Sequence, residues 1–302
     1  VTRALVVGAG SIGTRHARVL SGLGHQVAVV SARESDEFER FAGIPEALSA
    51  FDPAYVVVAT ETARHAASVD ELAGGGFHGM LLVEKPLSVP VAALAAFDRV
   101  GVGFNLRFHP VIARVAELLA ATQVFTVEVY AGQHLSGWRP DRPLSDQYSA
   151  SRARGGGVLR DLSHELDYLG RMLGGCRGAF ARGGRLAEVT VDSDDAWGIV
   201  AEYERAPIVT VQLNYLDTTA RRRIVATTAS GTVEADVIAG IVRHGDRTEE
   251  LAGERDDTYA SMHRAMLEGS GTVATAAEAT ATEDVIAMIE ASASEARWVA
   301  AS

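Results

Sequence analysis

The chain has 302 residues, 47% of them apolar and 22% charged, an ordinary soluble composition long enough for about two domains of roughly 150 residues. A net charge of −11 argues against nucleic acid or an anionic membrane as partner, and no apolar run approaches the roughly 18 residues that a membrane helix needs. A single cysteine, Cys176, excludes an intrachain disulfide and fits a reducing, cytoplasmic setting, and with a first strand so close to residue 1 no leader peptide is expected.

In chain order, Ala4-Leu5-Val6-Val7 is a short β-favouring run that leads straight into Gly8-Ala9-Gly10-Ser11-Ile12-Gly13. A helical stretch from Thr14 to Leu23 follows, stopped by Gly24, and Gln26–Val30 then reads as a second strand. The G-x-G-x-x-G pattern between strand and helix predicts a dinucleotide site. Gly8 permits the tight turn, Gly10 lets the backbone approach a pyrophosphate, and Gly13 lets helix and strand pack closely. The helix start, with Ser11 and Ile12, offers N–H groups and a positive dipole end to the phosphates.

The end of the second strand discriminates between cofactors. An acid there accepts from the ribose of NAD, whereas an arginine accommodates the 2′-phosphate of NADP. Here Ser31 stands in the acid's place and Arg33 is placed to grip a phosphate, although Glu34 beside it offers a competing ribose acceptor. The reading favours NADP(H) and leaves NAD(H) open.

Tyr55–Ala59 is a buried-strand run, and Thr60-Glu61-Thr62 opens a helix that holds His65. Met80–Val83 is a further strand and delivers Glu84-Lys85-Pro86 to its carboxyl end, where ligands bind in doubly wound sheets. Lys85 is the only lysine; the other 27 Lys/Arg positions are arginine. A lysine surviving that bias does something a broad, permanently charged guanidinium cannot. Val100–Asn105 reads as a last strand leading out of the domain.

Beyond residue 120 come strand-like stretches at 123–131, 178–190, 196–204, 207–216, 222–229, 231–237 and 239–243, with one strong helix at 157–173. The motifs then add up. The glycine turn running on into Thr14-Arg15-His16, the Glu84-Lys85-Pro86 motif, Gly103-Phe104-Asn105-Leu106-Arg107-Phe108-His109-Pro110, and Gly155-Gly156-Gly157 continuing to Asp167, with a C-terminal Ala296-Arg297-Trp298, span nearly the whole chain. In this order they resemble the glucose-fructose oxidoreductase / inositol dehydrogenase / MocA family of NAD(P)-dependent enzymes. The resemblance implies an α/β fold: a Rossmann domain at 1–106, then a substrate and oligomerisation domain at 107–302 on a large open, mostly antiparallel sheet. The exposed face of such a sheet needs cover, which predicts a homodimer or homotetramer.

Hydride transfer to a ketone builds negative charge on oxygen, so a site for it needs a donor there and a proton source. The resemblance assigns these tasks to Lys85, to His164, and to Asp161 or Asp167. His164 is suited to trading a proton near neutrality, and spacings of three place Asp161, His164 and Asp167 on one broad helical face. Many members of the family have four residues from the first aspartate to the histidine; here there are three, so His164 and Asp167 transfer more securely than Asp161, which also suits a helix N-terminal acid. The shorter form looks like the branch associated with sugar and surface-polysaccharide metabolism.

The resemblance also implies a cis peptide before Pro86, Thr60 and His65 near the nicotinamide ribose or else packing their helix, and Asn105 near nicotinamide. Arg107 either contacts substrate or forms a structural ion pair. Trp138, Arg139, Tyr148 and Arg152 sit in a long loop and offer aromatic and guanidinium groups suited to a sugar or to plain packing. No metal is expected: there is no cysteine cluster, and His164-Glu165 lacks the second histidine of H-E-x-x-H. The expected activity is an NADP(H)-linked oxidoreductase acting on a sugar, nucleotide-sugar or cyclitol. The alternatives are an NAD-dependent polyol or inositol dehydrogenase and a non-catalytic cofactor-sensing regulator.

Overall fold

Continuous apolar runs, rather than alternating ones, build the first sheet, because parallel strands covered on both faces have no solvent side. The computed structural model describes residues 1–32, 36–138, 143–187, 189–251 and 253–301. β1 (Arg3–Val7), β2 (Gln26–Val30), β3 (Glu39–Phe41), β4 (Tyr55–Val58), β5 (Met80–Val83) and β6 (Arg99–Val102) pair in parallel in the order β3-β2-β1-β4-β5-β6. Side chains alternate between two buried layers. Leu5, Val7, Val56, Val58, Leu81 and Val83 pack under α2 (Ile44–Phe51), α3 (His65–Gly74) and α4 (Val91–Leu94), through Ile44, Ala47, Val69, Leu72 and Leu94. Ala4, Val6, Tyr55, Val57 and Leu82 pack on the other face against Ala17 and Leu20 of α1 (Ser11–Gly22). The strand order reverses between β1 and β4, where a doubly wound sheet opens its crevice.

The same face receives a helix from far along the chain. α8 (Arg255–Glu268) brings Tyr259, Met262 and Met266 into that layer. Its start is closed by a capping box in which Glu254 and Asp257 each accept from the other's backbone N–H. The first compact unit is therefore Val1–Phe108 together with Glu254–Thr280, and the second is His109–Gly253 with Ala281–Ser302. A single crossing near residue 106 does not describe this path, because the chain returns to the first sheet before it ends.

In the second unit lie α5 (Pro110–Ala120), β7 (Val124–Gly132), α6 (Val158–Asp161), α7 (His164–Leu173) and then the strands β8 (Cys176–Gly184), β9 (Ala196–Tyr203), β10 (Ala206–Asn214), β11 (Arg221–Thr228), β12 (Gly231–Asp236), β13 (Ile241–His244) and β14 (Arg247–Glu250). α9 (Ala276–Glu295) starts in the first unit and contributes its residues from Ala281 onward to the second, followed by β15 (Val299–Ala300). The described strands form a sheet ordered β14-β13-β12-β11-β7-β10-β9-β8-β15, antiparallel throughout except for the β7–β10 pair. Its inward positions, such as Trp197, Ile199, Ala201 and Tyr203 of β9, are buried with Val115 and Leu119 of α5, Leu166 and Leu169 of α7, and Ile286 and Ile289 of α9. The outward positions include Phe125, Phe180, Val200 and Ile208, 37–52% exposed. The short polar strand Arg247–Glu250 has no apolar pattern and was not predictable by periodicity.

The helix expected at 157–173 is two helices. Leu162 (φ −96°, ψ 27°) leaves α-helical geometry between Asp161 and His164. Asp161 and His164 therefore sit on separate helices, not on one face of a single one.

Candidate active site

In the first unit the three glycines of the turn perform three different tasks. Gly8 sits at φ +101°, and a Cβ there would come within 2.8 Å of the Ala59 carbonyl oxygen, so the turn lies against the end of β4. A Cβ on Gly13 would overlap the Gly8 carbonyl oxygen. Around Gly10, by contrast, nothing lies within 4 Å of where a Cβ would stand. That open space in front of the helix is what close approach of a pyrophosphate requires. Helix α1 has no side-chain cap and no acid in its first turn, leaving its positive end available at Ser11 and Ile12. Thr60 Oγ1, next to this turn in the sheet, is buried without a hydrogen-bond partner among the described residues. These features fit a dinucleotide, whose phosphates would be held by the backbone from Gly10 to Ile12.

Ser31 ends β2, is buried, and donates its N–H to the Phe41 carbonyl at 3.2 Å. Arg33 and Glu34 lie outside the described residues. The structure adds a residue that pattern reading missed: Arg40 of β3 donates to the Ser31 carbonyl at 3.0 Å, placing its guanidinium at the end of β2. Only the pairing of β3 with β2 reveals it, since nothing local marks Arg40 out.

At the carboxyl end of β5 the Lys85–Pro86 peptide is cis. Glu84 is buried, with one carboxylate oxygen accepting the Lys85 N–H at 3.1 Å and the other 2.9 Å from His16 Nε2. Lys85 itself is half-buried. His65 packs beneath these loops. Its buried ring has Nδ1 3.1 Å from the Pro86 carbonyl and Nε2 3.2 Å from the Thr60 carbonyl, tying the two loops together. Burial holds its pKa below the ordinary imidazole value, against the opposing pull of the backbone carbonyls. A neutral ring carries one N–H, so it donates to one of these carbonyls at a time.

Asn105 and Arg107 lie on the short 3₁₀ turn Asn105–Phe108 and are both buried. Asn105 Nδ2 donates to Thr258 Oγ1 of α8 at 2.8 Å. Arg107 Nη1 donates to Glu278 at 3.1 Å, an ion pair.

The second unit assembles a different set. Asp161 is 4% exposed and accepts from two phenols, Tyr148 Oη at 2.8 Å and Tyr215 Oη at 2.6 Å. Trp138 packs edge-on against Tyr215 with ring centroids 5.3 Å apart. The structure thus gathers Trp138, Tyr148 and Asp161 around Tyr215, which sequence reasoning did not single out. Burial, then the Asp161 carboxylate, raises the Tyr215 pKa well above its ordinary value, so it stays a donor. Arg152 is exposed and bonds through its backbone N–H to Asp192 at 2.7 Å. Arg139 lies outside the described residues.

His164 opens α7, half-buried, and Asp167 lies one turn along it, buried. Between them Glu165 is fully buried and pairs with Arg222 of β11 at 2.7 Å. The glycine turn before α6 is set by contacts that leave no room for side chains. A Cβ on Gly156 would run into the Tyr148 and Ser149 carbonyl oxygens, and one on Gly157 (φ +126°) into Asp194. Asp194 Oδ2 accepts from the Leu159 N–H at 2.9 Å and from Trp197 Nε1 at 2.7 Å. Asp195 accepts from the Leu186 and Ala187 N–H groups, both at 2.8 Å. Neither acid is legible in the polar stretch 192–195. No group of three or more metal-binding side chains occurs among the described residues.

Residues 2–100 match the family model described as oxidoreductase family, NAD-binding Rossmann fold. No curated protein matches the chain. Among solved structures it is similar to GenD2 from gentamicin A biosynthesis in complex with NAD, 23% identical, with a TM-score of 0.81 over 100% of this chain and 96% of that one. It is similar to the WlbA dehydrogenase from Bordetella pertussis in complex with NADH and UDP-GlcNAcA, 18% identical, TM-score 0.80, over 100% and 98% of the two chains. A levoglucosan dehydrogenase in complex with NADH and L-sorbose is 16% identical, TM-score 0.84, over 99% and 98%. At these identities the likeness is one of fold.

A glycine-walled phosphate turn on a doubly wound sheet, joined to a large open antiparallel one, defines the class: an NAD(P)-dependent oxidoreductase. Residues 2–100 match the glucose-fructose oxidoreductase / inositol dehydrogenase / MocA family model, and the whole chain shares the fold of the solved structures named above.

Proposed function

We propose that this chain is an NADP(H)-linked oxidoreductase that interconverts a keto and a hydroxyl group on a sugar, nucleotide-sugar or cyclitol. The observation that carries the reading is the Glu84-Lys85-Pro86 turn at the carboxyl end of β5, in the same sheet whose β1 leads into the glycine turn. When bound, the nicotinamide supplies or takes the hydride. In the reductive direction the Lys85 ammonium donates to the carbonyl oxygen as negative charge grows there, a role suited to a compact ammonium on a flexible stem. His164 gives that oxygen its proton and takes it back in the oxidative direction, with Asp167 one helical turn away as its orienting acid. Asp161, gripped by Tyr148 and Tyr215, holds the aromatic group that also contains Trp138, a surface suited to a sugar face.

Ser31 in place of an acid, Arg33 two residues on, and Arg40 at the Ser31 carbonyl support the 2′-phosphate of NADP(H). The opposing reading is an NAD-dependent polyol or inositol dehydrogenase, favoured by the NAD and NADH in the solved structures of similar fold. Cofactor binding followed by fluorescence separates the two. NADPH is expected to bind more tightly than NADH, and Arg33→Asp to reverse the order; equal affinities unmoved by the substitution refute the NADP(H) assignment. The outward apolar residues Phe125, Phe180, Val200 and Ile208 support a homodimer or homotetramer joined through the large sheet. The single cysteine and the acidic charge support a cytoplasmic setting without nucleic acid partners.

A further inference from the structure

A line of buried polar groups in the first unit ends at Lys85, and the reaction as proposed makes no use of it. His16 lies on α1, three residues after Gly13, and His263 lies on α8; both rings are completely buried. His16 Nδ1 is 2.9 Å from His263 Nε2, and His263 Nδ1 is 2.9 Å from the hydroxyl of Tyr55, itself fully buried on β4. At the other end His16 Nε2 is 2.9 Å from one oxygen of Glu84, whose second oxygen accepts the Lys85 N–H.

Proton counting sets the direction of this line. A carboxylate only accepts, so His16 Nε2 carries a proton toward Glu84, and a neutral His16 ring then presents a bare Nδ1 to His263. His263 then donates from Nε2 and accepts at Nδ1 from the phenol. Burial raises the Tyr55 pKa well above the ordinary value, so the hydroxyl keeps its proton to give. Burial, with the neighbouring His16 ring, pushes His263 well below its ordinary value, so its ring stays neutral and keeps one accepting nitrogen. Every link thus has one donor and one acceptor, and each fixes the tautomer of the next. The backbone of Gly103 lies against the same Glu84 carboxylate, since a Cβ there would run into it. Arg15, adjacent to His16, pairs with Asp256 of α8 at 2.8 Å, and the His16 ring meets Tyr259 edge-on at 5.2 Å. Helix α1 thereby contacts α8 beside the histidine pair as well.

We propose that His16 and His263 are positioning residues for Lys85: through Glu84 they fix the backbone from which its side chain reaches the substrate oxygen. The inference rests on the role given to Lys85 above. It also ties the placement of the ammonium to α1, the helix that begins at the phosphate turn, so cofactor seat and ammonium share one frame.

Because the chain holds a single lysine, reductive methylation with ¹³C-formaldehyde labels Lys85 and the α-amine alone, and the two kinds of amine separate in an NMR spectrum. The wild type is compared with His263→Leu, which removes the donor to His16, and His263→Gln, whose amide can donate from nearly the same place. His263→Leu is expected to shift or broaden the Lys85 methyl signal. It should also lower kcat about 10- to 100-fold, as for a displacement of roughly 1 Å at a catalytic group, with cofactor affinity changed less than about twofold. His263→Gln should return both readouts most of the way. Tyr55→Phe, which takes away one hydroxyl, carries the same NMR test if His263→Leu does not fold, with a smaller change in the same direction. An unmoved Lys85 signal in the folded variant overturns the proposal, and so does a fall in kcat without movement of that signal, since the histidines would then be packing only. The signal reports on Lys85 whether or not the enzyme turns over, so a failure of the functional reading would appear separately, as full activity in Lys85→Ala.

Discussion

Asp194 gives the sharpest arithmetic in the second unit. It is 2% exposed, and one of its oxygens accepts from two buried donors, the Leu159 N–H and Trp197 Nε1. Replacing it with alanine leaves both donors without an acceptor in a site closed to water. Each such orphan costs about 1–3 kcal/mol, so Asp194→Ala is expected to lose about 2–6 kcal/mol of stability. Asp194→Asn keeps a carbonyl oxygen for the same two donors and loses only the extra strength of a charged acceptor, about 1 kcal/mol. Urea titration followed by tryptophan fluorescence measures both losses by linear extrapolation. The consequence for function follows from place: Leu159 belongs to α6, and α6 ends at Asp161, three residues before His164. Turnover should therefore fall in the order wild type, Asn, Ala. A loss below about 1 kcal/mol for the alanine variant, or equal losses for both, would refute this account of the glycine turn.

The phosphate turn is tested by Gly13→Ala. Its new methyl group would overlap the Gly8 carbonyl, forcing α1 away from the turn, and the affinity for NADPH should drop by more than about tenfold with the second unit still folded. Stability should also depend on pH through His65 and His263, whose folded pKa values are depressed mainly by burial. A depressed value means that the unfolded chain takes up the proton first. Stability is therefore complete above the unfolded value near about 6.5 and declines as pH falls below it, by up to about 1.4 kcal/mol per pH unit for each group. Unfolding titrations from pH 8 to pH 5 check the slope, and His263→Gln should remove one group's share of it.

How much of this could be read beforehand follows the range of the interactions involved. The turn from Gly8 to Gly13 and the motif ending in Pro86 were legible because each consists of adjacent residues whose spacing states the geometry. Tyr55–Val58 and Leu81–Val83 were legible as central strands because burial on both faces leaves an unbroken apolar run. The break at Leu162 and Ser163 was not, since neither residue is a helix breaker and the apolar spacing runs on through them. Nor was the return of α8 to the first sheet: Tyr259, Met262 and Met266 make an apolar stripe that suits either sheet, and only the fold says which it joins. His16 and His263 are 247 residues apart and meet for that reason alone. The partners of Arg107 and His65, Glu278 and the Pro86 carbonyl, were not legible because each lies on a distant or separate segment. The bonds from Tyr148 and Tyr215 to the two oxygens of Asp161 were not legible either, because Tyr215 lies 54 residues away and meets Asp161 only through the fold.

The most direct test of the central claim is oxidation of NADPH and NADH by the purified protein against keto-sugars, free and nucleotide-linked, with Lys85→Ala alongside. The account predicts turnover with NADPH on at least one of them, lost by about 100-fold or more in the variant, as when a donor to a developing oxyanion is removed, while the variant still binds cofactor. A Lys85→Ala protein that turns over at the wild-type rate would contradict it.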